Sequence, residues 1–201
     1  ATIGQEKASR IYWAFVQALL RRLSDLGERR ILAVTPADRI GDFVKIAGDR
    51  WTVEPQSGGD LGDRMRQYFD SAFERGVRDV LLLGSDSPDV PREFVTKAFE
   101  LLERFPVVLG PSEDGGYYLI AARNQTPPVF DNVPWSNSAV WEETLARLTN
   151  AGIPYGELPI WYDVDETESL ERLLRALRGS QDLDRPLLEL KDGLCRELEI
   201  D

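Results

Sequence analysis

Histidine is absent from this 201-residue chain, and Cys195 is its only cysteine. Without histidine, the chain cannot use a Ser-His-Asp or Cys-His mechanism, and it cannot hold zinc on imidazole ligands. A single cysteine excludes an internal disulfide and a zinc cluster held by thiolates. Chemistry must therefore use carboxylates, hydroxyls, backbone dipoles or a bound hard cation, and oxygen ligands favour Mg²⁺ or Mn²⁺.

Positive charge is also scarce, with 24 lysine and arginine residues against 35 aspartate and glutamate residues. The formal net charge of −11 disfavours nucleic acid and anionic lipid as main partners, because both repel an acidic surface. A nucleotide ligand stays compatible, since a metal ion can mediate between carboxylates and phosphates. No apolar segment approaches a membrane span and no signal peptide is visible, so we expect a cytoplasmic protein.

The hydrophobic content of 42% is enough for one globular domain with a core of its own. Apolar runs alternate with segments of helical periodicity, which predicts a three-layer α/β domain with a mostly parallel sheet. Strands are predicted near 30–36, 51–55, 80–84, 106–111, 117–121 and 155–162. Helices are predicted at 1–28, near 43–46, near 64–76, after Pro91, near 138–152, up to Gly179, and as one peripheral helix within 180–201.

The first predicted helix has an unusual place, because α/β domains usually begin on a strand. Thr2 and Gln5 could form a capping box at its start, and Gly27 would close it. Apolar residues at helical spacing predict the buried stripe of this helix: Ala8, Ile11, Tyr12, Phe15, Leu19, Leu23 and Leu26.

Asp86 is the first candidate functional residue. It follows the apolar run 80–83, which predicts a strand buried on both faces, and Ser85 and Ser87 flank it. Ligands of open α/β sheets bind outside the carboxyl ends of such strands. Our hypothesis is that Asp86 holds a divalent cation on the phosphates of a nucleotide; the alternative is that it caps a turn or the next helix.

Asp163 and Asp165 could supply a second carboxylate. They also lie between a predicted strand end and a helix, and an extended Asp-x-Asp segment places both side chains on one side. Neighbouring parallel strands could bring Asp165 and Asp86 to one ion. The alternative is that Asp165 is the N-cap of the helix, with Glu168 completing a capping box.

Two glycine-containing turns are further candidates. In the segment 56–64, Gly58, Gly59 and Gly62 permit close approach of the backbone to a ligand at a helix N-terminus, and Arg64 could reach a phosphate or stay solvated. In the segment 113–118, a tight turn explains the Asp-Gly-Gly sequence, or one acid acts as the base on an acceptor hydroxyl. For Trp135 and Ser136 we favour a buried tryptophan and an N-cap serine.

Five strings in this order resemble a known family: 58–65 (GGDLGDRM), 84–88 (GSDSP), 113–118 (EDGGYY), 133–136 (VPWS) and 163–165 (DVD). The chain is similar to bacterial GT-A-type glycosyltransferases that were first described as a domain of unknown function. That family is related to, but distinct from, small guanylyltransferases that act on molybdopterin or phospholactate.

The resemblance implies a Rossmann-like GT-A fold of the nucleotide-diphospho-sugar transferase superfamily. It implies Mg²⁺ or Mn²⁺ on the acids matching Asp86 and Asp165, with Asp163 beside them, and an acceptor or sugar side formed by the 113–116 turn. The nucleobase would lie against the loop 56–62. The candidate catalytic residues are then Asp114 and Glu113, and the candidate nucleotide and substrate contacts are Gln56, Gly58, Gly59, Asp60, Leu61, Gly62, Arg64, Ser85, Gly115 and Gly116.

This sequence departs from the family pattern in two places. The family begins with a strand and a basic loop that contacts phosphates, so the helix-first order implies that this first strand is missing from the chain. The usual Thr-Pro after the last acid is replaced by Glu166-Thr167, which would move the helix start.

We therefore expect a metal-dependent transferase that uses a nucleotide-activated sugar. The alternatives are a nucleotidyltransferase that joins a nucleoside triphosphate to a phosphorylated small molecule, and a catalytically idle protein that binds a nucleotide or cation. Nucleic acid and membrane are not expected partners, and the sequence leaves the oligomeric state open.

Overall fold

The computed structural model describes residues 3–131, 133, 135 and 138–200. Within them, seven α-helices and six strands alternate along most of the chain, except that β5 follows β4 and α7 follows α6, and this order confirms the predicted α/β class. The helices are α1 (Gln5–Arg22), α2 (Ile40–Ala47), α3 (Leu61–Glu74), α4 (Arg92–Leu102), α5 (Val140–Asn150), α6 (Thr167–Gly179) and α7 (Arg185–Leu198). The strands are β1 (Ile31–Val34), β2 (Thr52–Pro55), β3 (Asp79–Leu83), β4 (Val107–Pro111), β5 (Tyr117–Arg123) and β6 (Tyr155–Glu157).

The chain divides into two compact units, so the prediction of a single domain stays a prediction. Unit one comprises residues 1–55, 85–92 and 163–201, and unit two comprises residues 56–84 and 93–162. None of the helices in the described part of the chain combines the length and the apolar character needed to cross a bilayer.

Unit one combines a two-stranded parallel sheet, β1 with β2, and a helical pair in which α7 packs along α1. Apolar residues at helical spacing supply the buried faces of both helices. In α7 these residues are Leu187, Leu190 and Leu194, so the tail that was predicted as a peripheral helix has a buried face of its own. Burial of a leucine side chain contributes about 1.5–3 kcal/mol each.

Unit two is built on a four-stranded sheet in the order β3-β5-β4-β6. Strand β4 pairs in parallel with β6, whereas β5 runs antiparallel to both β3 and β4. The antiparallel pairing of β4 with β5 follows from the tight turn at 113–116, because a chain that reverses without a crossover helix can only return antiparallel. Phe69 of α3 and Leu148 of α5 are fully buried in its core, with Leu109 and Ile120 of the sheet.

Strand β3 differs from the prediction of a strand buried on both faces. Val80 is buried, but Leu81, Leu82 and Leu83 are only half-buried. The physical reason is position: within the described residues β3 lies at the edge of its sheet and pairs with β5 alone.

Helix α1 also differs from its prediction. It begins at Gln5 with Gly4 as N-cap and ends at Arg22, before Gly27; the predicted capping box involves Thr2, which lies outside the described residues. Ala8 and Tyr12 of the predicted stripe are exposed, while Ile11, Phe15, Leu19 and Leu23 are buried. Tyrosine has an apolar ring and a polar end, so helical spacing alone does not decide whether it is buried.

Candidate functional site

The segment 85–92, which we call the acid loop, follows β3 in the chain and belongs to unit one. The carbonyl oxygen of Asp86 accepts a hydrogen bond from the amide of Val164 at 2.8 Å. Because Asp163 and Asp165 flank Val164, this bond brings the backbone of all three acids to one place. Backbone segments that are 77 or more positions apart in sequence (163 − 86 = 77) therefore lie side by side, and a cation shared by Asp86 and Asp165 stays a prediction.

The start of α6 excludes one interpretation of Asp165, that of the helix N-cap. The helix begins at Thr167 with Glu166 as N-cap, and the Glu166 amide donates to Ser169 Oγ at 3.1 Å. The predicted capping box of Asp165 with Glu168 is therefore wrong, because the helix starts one residue later. Among the described residues, the exposed carboxylate of Asp165 has no hydrogen-bond or ion-pair partner.

The donor set at the acid loop suits a cation that is shared with a ligand. In the described part of the chain, no group of three or more acidic or other metal-ligating side chains is arranged to enclose a metal ion. Mg²⁺ is commonly held by one or two carboxylates together with water and substrate phosphates. Asp86 and Asp165 can supply such a pair of carboxylates, with Asp163 next to them in sequence.

The far end of the acid loop is held by a buried arginine of α1. The Arg22 side chain is only 5% exposed, and its Nη1 donates to the carbonyl oxygens of Pro88 and Val90, each at 2.9 Å. Its Nε donates to Asp184 at 2.9 Å, and Asp184 in turn accepts from the Leu187 amide as the N-cap of α7. A buried cation with these partners fixes the loop backbone, since each bond would be costly to leave unmade.

Arg92, the last residue of the acid loop, connects this loop to the segment at the end of α1. Its Nη2 donates to both carboxylate oxygens of Asp25, at 2.8 and 2.9 Å, and its Nη1 donates to the Arg22 carbonyl. The hydrogen bond from Arg92 holds the pKa of Asp25 below its ordinary value.

Tyr12 contacts the near end of the same loop. Its hydroxyl lies 2.5 Å from Ser85 Oγ, while the residue is 46% exposed. Sequence reasoning missed Tyr12, Arg22 and Asp184 as residues of this region. Arg22 carried a signal that could have found it, because a cation between the apolar Leu19, Leu20 and Leu23 interrupts the buried face of the helix.

In unit two, the segment 56–62, which we call the glycine loop, leads into α3. Asp60 is the N-cap and accepts from the Asp63 amide at 2.9 Å, and Gly59 has a φ of +97°. Arg64 donates to the Gly59 carbonyl and to Gln56 Oε1, both at 3.1 Å. The guanidinium of Arg64 therefore ties the loop together, a role that neither sequence interpretation included.

Two residues at the start of α3 have opposite environments. Leu61 is 52% exposed and presents an apolar side chain to solvent. A Cβ added to Gly62 would lie 2.3 Å from Nε1 of Trp135 and 2.6 Å from the Phe130 carbonyl oxygen, so only glycine fits there. Gly62 thus serves close packing, while Leu61 is accessible to a ligand.

The turn at 113–116 agrees with the structural interpretation for Asp114. Its Oδ1 accepts from the Gly116 amide at 2.9 Å and from the Ser112 hydroxyl. Gly115 has a φ of +91°, and a Cβ there would meet the backbone of Ser138. The Glu113 residue is exposed, and its amide donates to the Trp161 carbonyl at 3.0 Å.

Trp135 is half-buried and lies edge-on to the ring of Tyr117, with centroids 6.2 Å apart. The indole Nε1 and the Tyr117 hydroxyl are both buried without a hydrogen-bond partner in the described part of the chain. Burial raises the pKa of Tyr117 above its ordinary value, so this phenol stays neutral. The favoured interpretation of Trp135 as a packing residue agrees with these contacts, and Ser136 lies outside the described residues.

Comparison with known proteins matches residues 19–137 to a family model described as "Uncharacterized protein conserved in bacteria (DUF2064)". The chain belongs to the DUF2064 family. The matched segment includes the glycine loop, the acid loop and the turn at 113–116, and it ends before Asp163. The resemblance stated from the sequence motifs is therefore confirmed at the level of the family.

Two relatives of this DUF2064 chain are informative, one through its solved structure and one through its described reaction. A crystal structure of a protein from Desulfovibrio desulfuricans G20, described as a candidate nucleotide-diphospho-sugar transferase, has a TM-score of 0.85 and 35% identity, and the match covers 97% of this chain and 87% of that one. The 3-phospho-D-glycerate guanylyltransferase of Phenylobacterium zucineum (strain HLK1) is 32% identical over 123 aligned residues, and the match covers 57% of this chain. The match spans 56%, little more than half, of that relative's length. Both relatives are described as transferases of one kind or another.

Proposed function

We propose that this DUF2064 chain is a metal-dependent transferase whose donor is a nucleotide-diphospho-sugar. Asp86 and Asp165 would hold Mg²⁺ or Mn²⁺ on the donor's diphosphate, with Asp163 beside them. The observation that carries the proposal is the hydrogen bond from the Val164 amide to the Asp86 carbonyl, at 2.8 Å. It joins the two acidic segments in one unit, and Asp165 is not occupied in capping α6.

When bound, the cation would neutralise charge that develops on the departing nucleoside diphosphate. The carboxylates bind and orient it, because an ionised carboxylate is an acceptor-only ligand. The rigid attachments of the acid loop, through Arg22 and Arg92, would keep Asp86 in place before the donor arrives. Such preorganisation reduces the cost of ordering the site on binding.

The glycine loop is the proposed contact for the nucleobase. Exposed Leu61 offers an apolar surface to a flat ring, and the backbone at Gly58 and Gly59 can approach a ligand closely because neither residue has a side chain. Asp60 holds the turn as N-cap, and Gly62 lets α3 start against Trp135. The side chain of Arg64 stabilises this loop from within, which argues against a direct phosphate role for it.

A carboxylate is the proposed general base, because the chain has no histidine. Glu113 and Asp114 are the two candidates, and their environments differ. Oδ1 of Asp114 already accepts two hydrogen bonds within its turn, from the Ser112 hydroxyl and the Gly116 amide, so this carboxylate oxygen already has a structural task. Glu113 is exposed and Asp114 has a structural task in its turn, so we expect Glu113→Gln to reduce turnover more than Asp114→Asn.

A second candidate function is favoured by the relationship to the guanylyltransferase. A nucleotidyltransferase would join GTP to a phosphorylated small molecule, and it would release pyrophosphate. A sugar transferase releases a nucleoside diphosphate instead. Incubation with Mg²⁺, GTP and 3-phospho-D-glycerate, followed by an assay for pyrophosphate, therefore separates the two reactions.

The binding test uses the whole chain and calorimetric titration with Mg²⁺ plus GTP, GDP-mannose or UDP-glucose. We expect Asp86→Ala to lower the metal-dependent affinity at least about 100-fold while leaving the unfolding temperature unchanged, since even residues behind a metal ligand contribute 10–100-fold. Asp182→Ala removes an exposed acid of the same unit and is the matched control. Unchanged binding by Asp86→Ala would refute the assignment of the metal site.

A further inference from the structure

Tyr12 and Ser85 form a pair of hydroxyl groups at the start of the acid loop. Their oxygens are 2.5 Å apart, and Ser85 is the residue directly before Asp86. Tyr12 lies on α1 and is 46% exposed. Phe15 of the same helix, by contrast, is only 2% exposed. A tyrosine that remains accessible and still contacts the acid loop is a candidate for a role beside a bound ligand.

Counting protons shows what this pair can offer to a ligand. Each hydroxyl has one proton, and the bond between the two oxygens uses one of the two. Neither hydroxyl has another hydrogen-bond partner among the described residues. One O–H group of the pair is therefore left to donate a hydrogen bond to a ligand.

The direction of the bond follows from acidity. The 2.5 Å contact itself allows either oxygen to be the donor. Because a phenol is more acidic than an aliphatic alcohol and is the stronger donor, we assign the donated proton to Tyr12, which leaves the Ser85 proton for a ligand. Donation from Tyr12 also polarises the Ser85 hydroxyl and restricts its rotation. Ser85 would then be the contacting residue and Tyr12 the positioning residue.

The neighbours of the pair indicate the chemical class of the ligand. Asp86, Asp163 and Asp165 are acceptor-only groups that attract a cation, and a cation attracts anionic oxygen. A phosphate oxygen beside that cation has further lone pairs and accepts well from a hydroxyl. We propose that the Tyr12–Ser85 pair is a hydrogen-bond donor for a phosphate oxygen of the metal-bound nucleotide, with Ser85 donating and Tyr12 positioning it. This inference rests on the function proposed above.

The pair predicts a defined pattern of affinities for Mg²⁺ with inorganic pyrophosphate, a probe that lacks base and sugar. Ser85→Ala should weaken binding about tenfold, because a hydrogen bond to a charged group is worth roughly 1.5 kcal/mol or more. Tyr12→Phe keeps the ring and should weaken binding only about threefold, since Ser85 retains its proton but loses its orientation. In the Ser85→Ala background, Tyr12→Phe should have no further effect.

Calorimetric titration of the full chain tests this pattern, with Ser85→Thr as the variant that keeps the hydroxyl and should bind like wild type. Tyr155→Phe, on β6 of unit two, is the control for loss of a phenol elsewhere. Unfolding temperatures of all variants should stay within a few degrees of wild type, which separates a binding role from a structural one.

Three results would overturn the inference: wild-type affinity in Ser85→Ala, equal losses in the two single variants, or additive losses in the double variant. Asp86→Ala distinguishes this failure from failure of the proposed function. If Asp86→Ala loses metal-dependent binding and Ser85→Ala does not, only the hydroxyl pair is wrong. If Asp86→Ala binds like wild type, or wild type does not bind Mg²⁺ with pyrophosphate, both proposals are wrong.

Discussion

The acid loop takes its contacts from residues far away in sequence, whereas the glycine loop is fastened by its own neighbours. Tyr12 is 73 residues from Ser85, and Arg22 is 66 residues from Pro88 and 162 from Asp184. The bonds of the glycine loop span three residues for Asp60 and Asp63 and five for Arg64 and Gly59. The position of Asp86 therefore depends on the tertiary structure of unit one, while the glycine loop can form its turn locally.

The largest effect on the free energy of unfolding is expected from replacing Arg22, which holds the acid loop from a distant position in the sequence. Arg22→Met keeps much of the side-chain volume but leaves the Pro88 and Val90 carbonyls and the Asp184 carboxylate without their partner. Breaking a buried charged pair costs roughly 3–5 kcal/mol, and the lower end applies because Asp184 is 38% exposed. Urea unfolding should show this loss, and the affinity for Mg²⁺ with pyrophosphate should fall with it.

Arg29→Met is the matched control for Arg22→Met, because Arg29 is exposed and close by in sequence. It should change the free energy of unfolding by less than about 0.5 kcal/mol, as surface substitutions usually do. A loss below about 1 kcal/mol in Arg22→Met would contradict the role of the buried arginine as an anchor.

Replacing Asp60, the N-cap in the glycine loop, should have a smaller effect on stability and should affect binding only through this loop. Asp60→Ala removes the N-cap acceptor of the Asp63 amide and should lower the free energy of unfolding by about 1 kcal/mol. Asp60→Asn keeps an acceptor and should be close to wild type. Nucleotide binding should weaken in Asp60→Ala, whereas binding of Mg²⁺ with pyrophosphate should not change; a parallel loss of both would mean that the two loops are not separable.

The same contrast explains what could be predicted from the sequence. The glycine loop with its helix, the turn at 113–116 and the strands beside them were predictable, because caps, positive-φ glycines and apolar runs act over a few residues. The residues Asp86, Asp163 and Asp165 were predictable as a group only through strand ends and motif order. Tyr12, Arg22 and Asp184 were not, since their roles arise from contacts over more than 60 positions.

Expectations from the sequence were also wrong for the burial of β3 and for the first residue of α6. Both depend on contacts with other parts of the structure. The leucines of β3 are half-buried at a sheet edge. The apolar run does not predict this, because it shows that the residues are hydrophobic but not how many strands lie beside them. At α6, Asp165 and Glu166 are both acids able to cap, and local pattern does not choose between them. The Ser169 hydroxyl selects Glu166, and this choice leaves Asp165 available.

The smallest expected effect concerns Arg92 and Asp25 at the end of α1. The hydrogen bond from Arg92 keeps the pKa of Asp25 below its ordinary value of 3.8. Because the folded pKa lies below the unfolded one, this stabilisation is complete above about pH 3.8 and is lost as pH falls through the lower, folded value. Arg92→Gln should therefore be slightly less stable than wild type at neutral pH.

The pH dependence sharpens this last prediction. The stability difference between wild type and Arg92→Gln should narrow as the pH of urea unfolding is lowered from neutral to about 3, because protonated Asp25 no longer attracts the guanidinium. In the Asp25→Asn background the pH-dependent part of the difference should disappear. A difference that stays constant across this range would assign the contribution of Arg92 to its bond with the Arg22 carbonyl, which carries no proton that titrates. The acid loop would then be held to α1 at this end by the hydrogen bond from the Arg92 side chain to the Arg22 carbonyl.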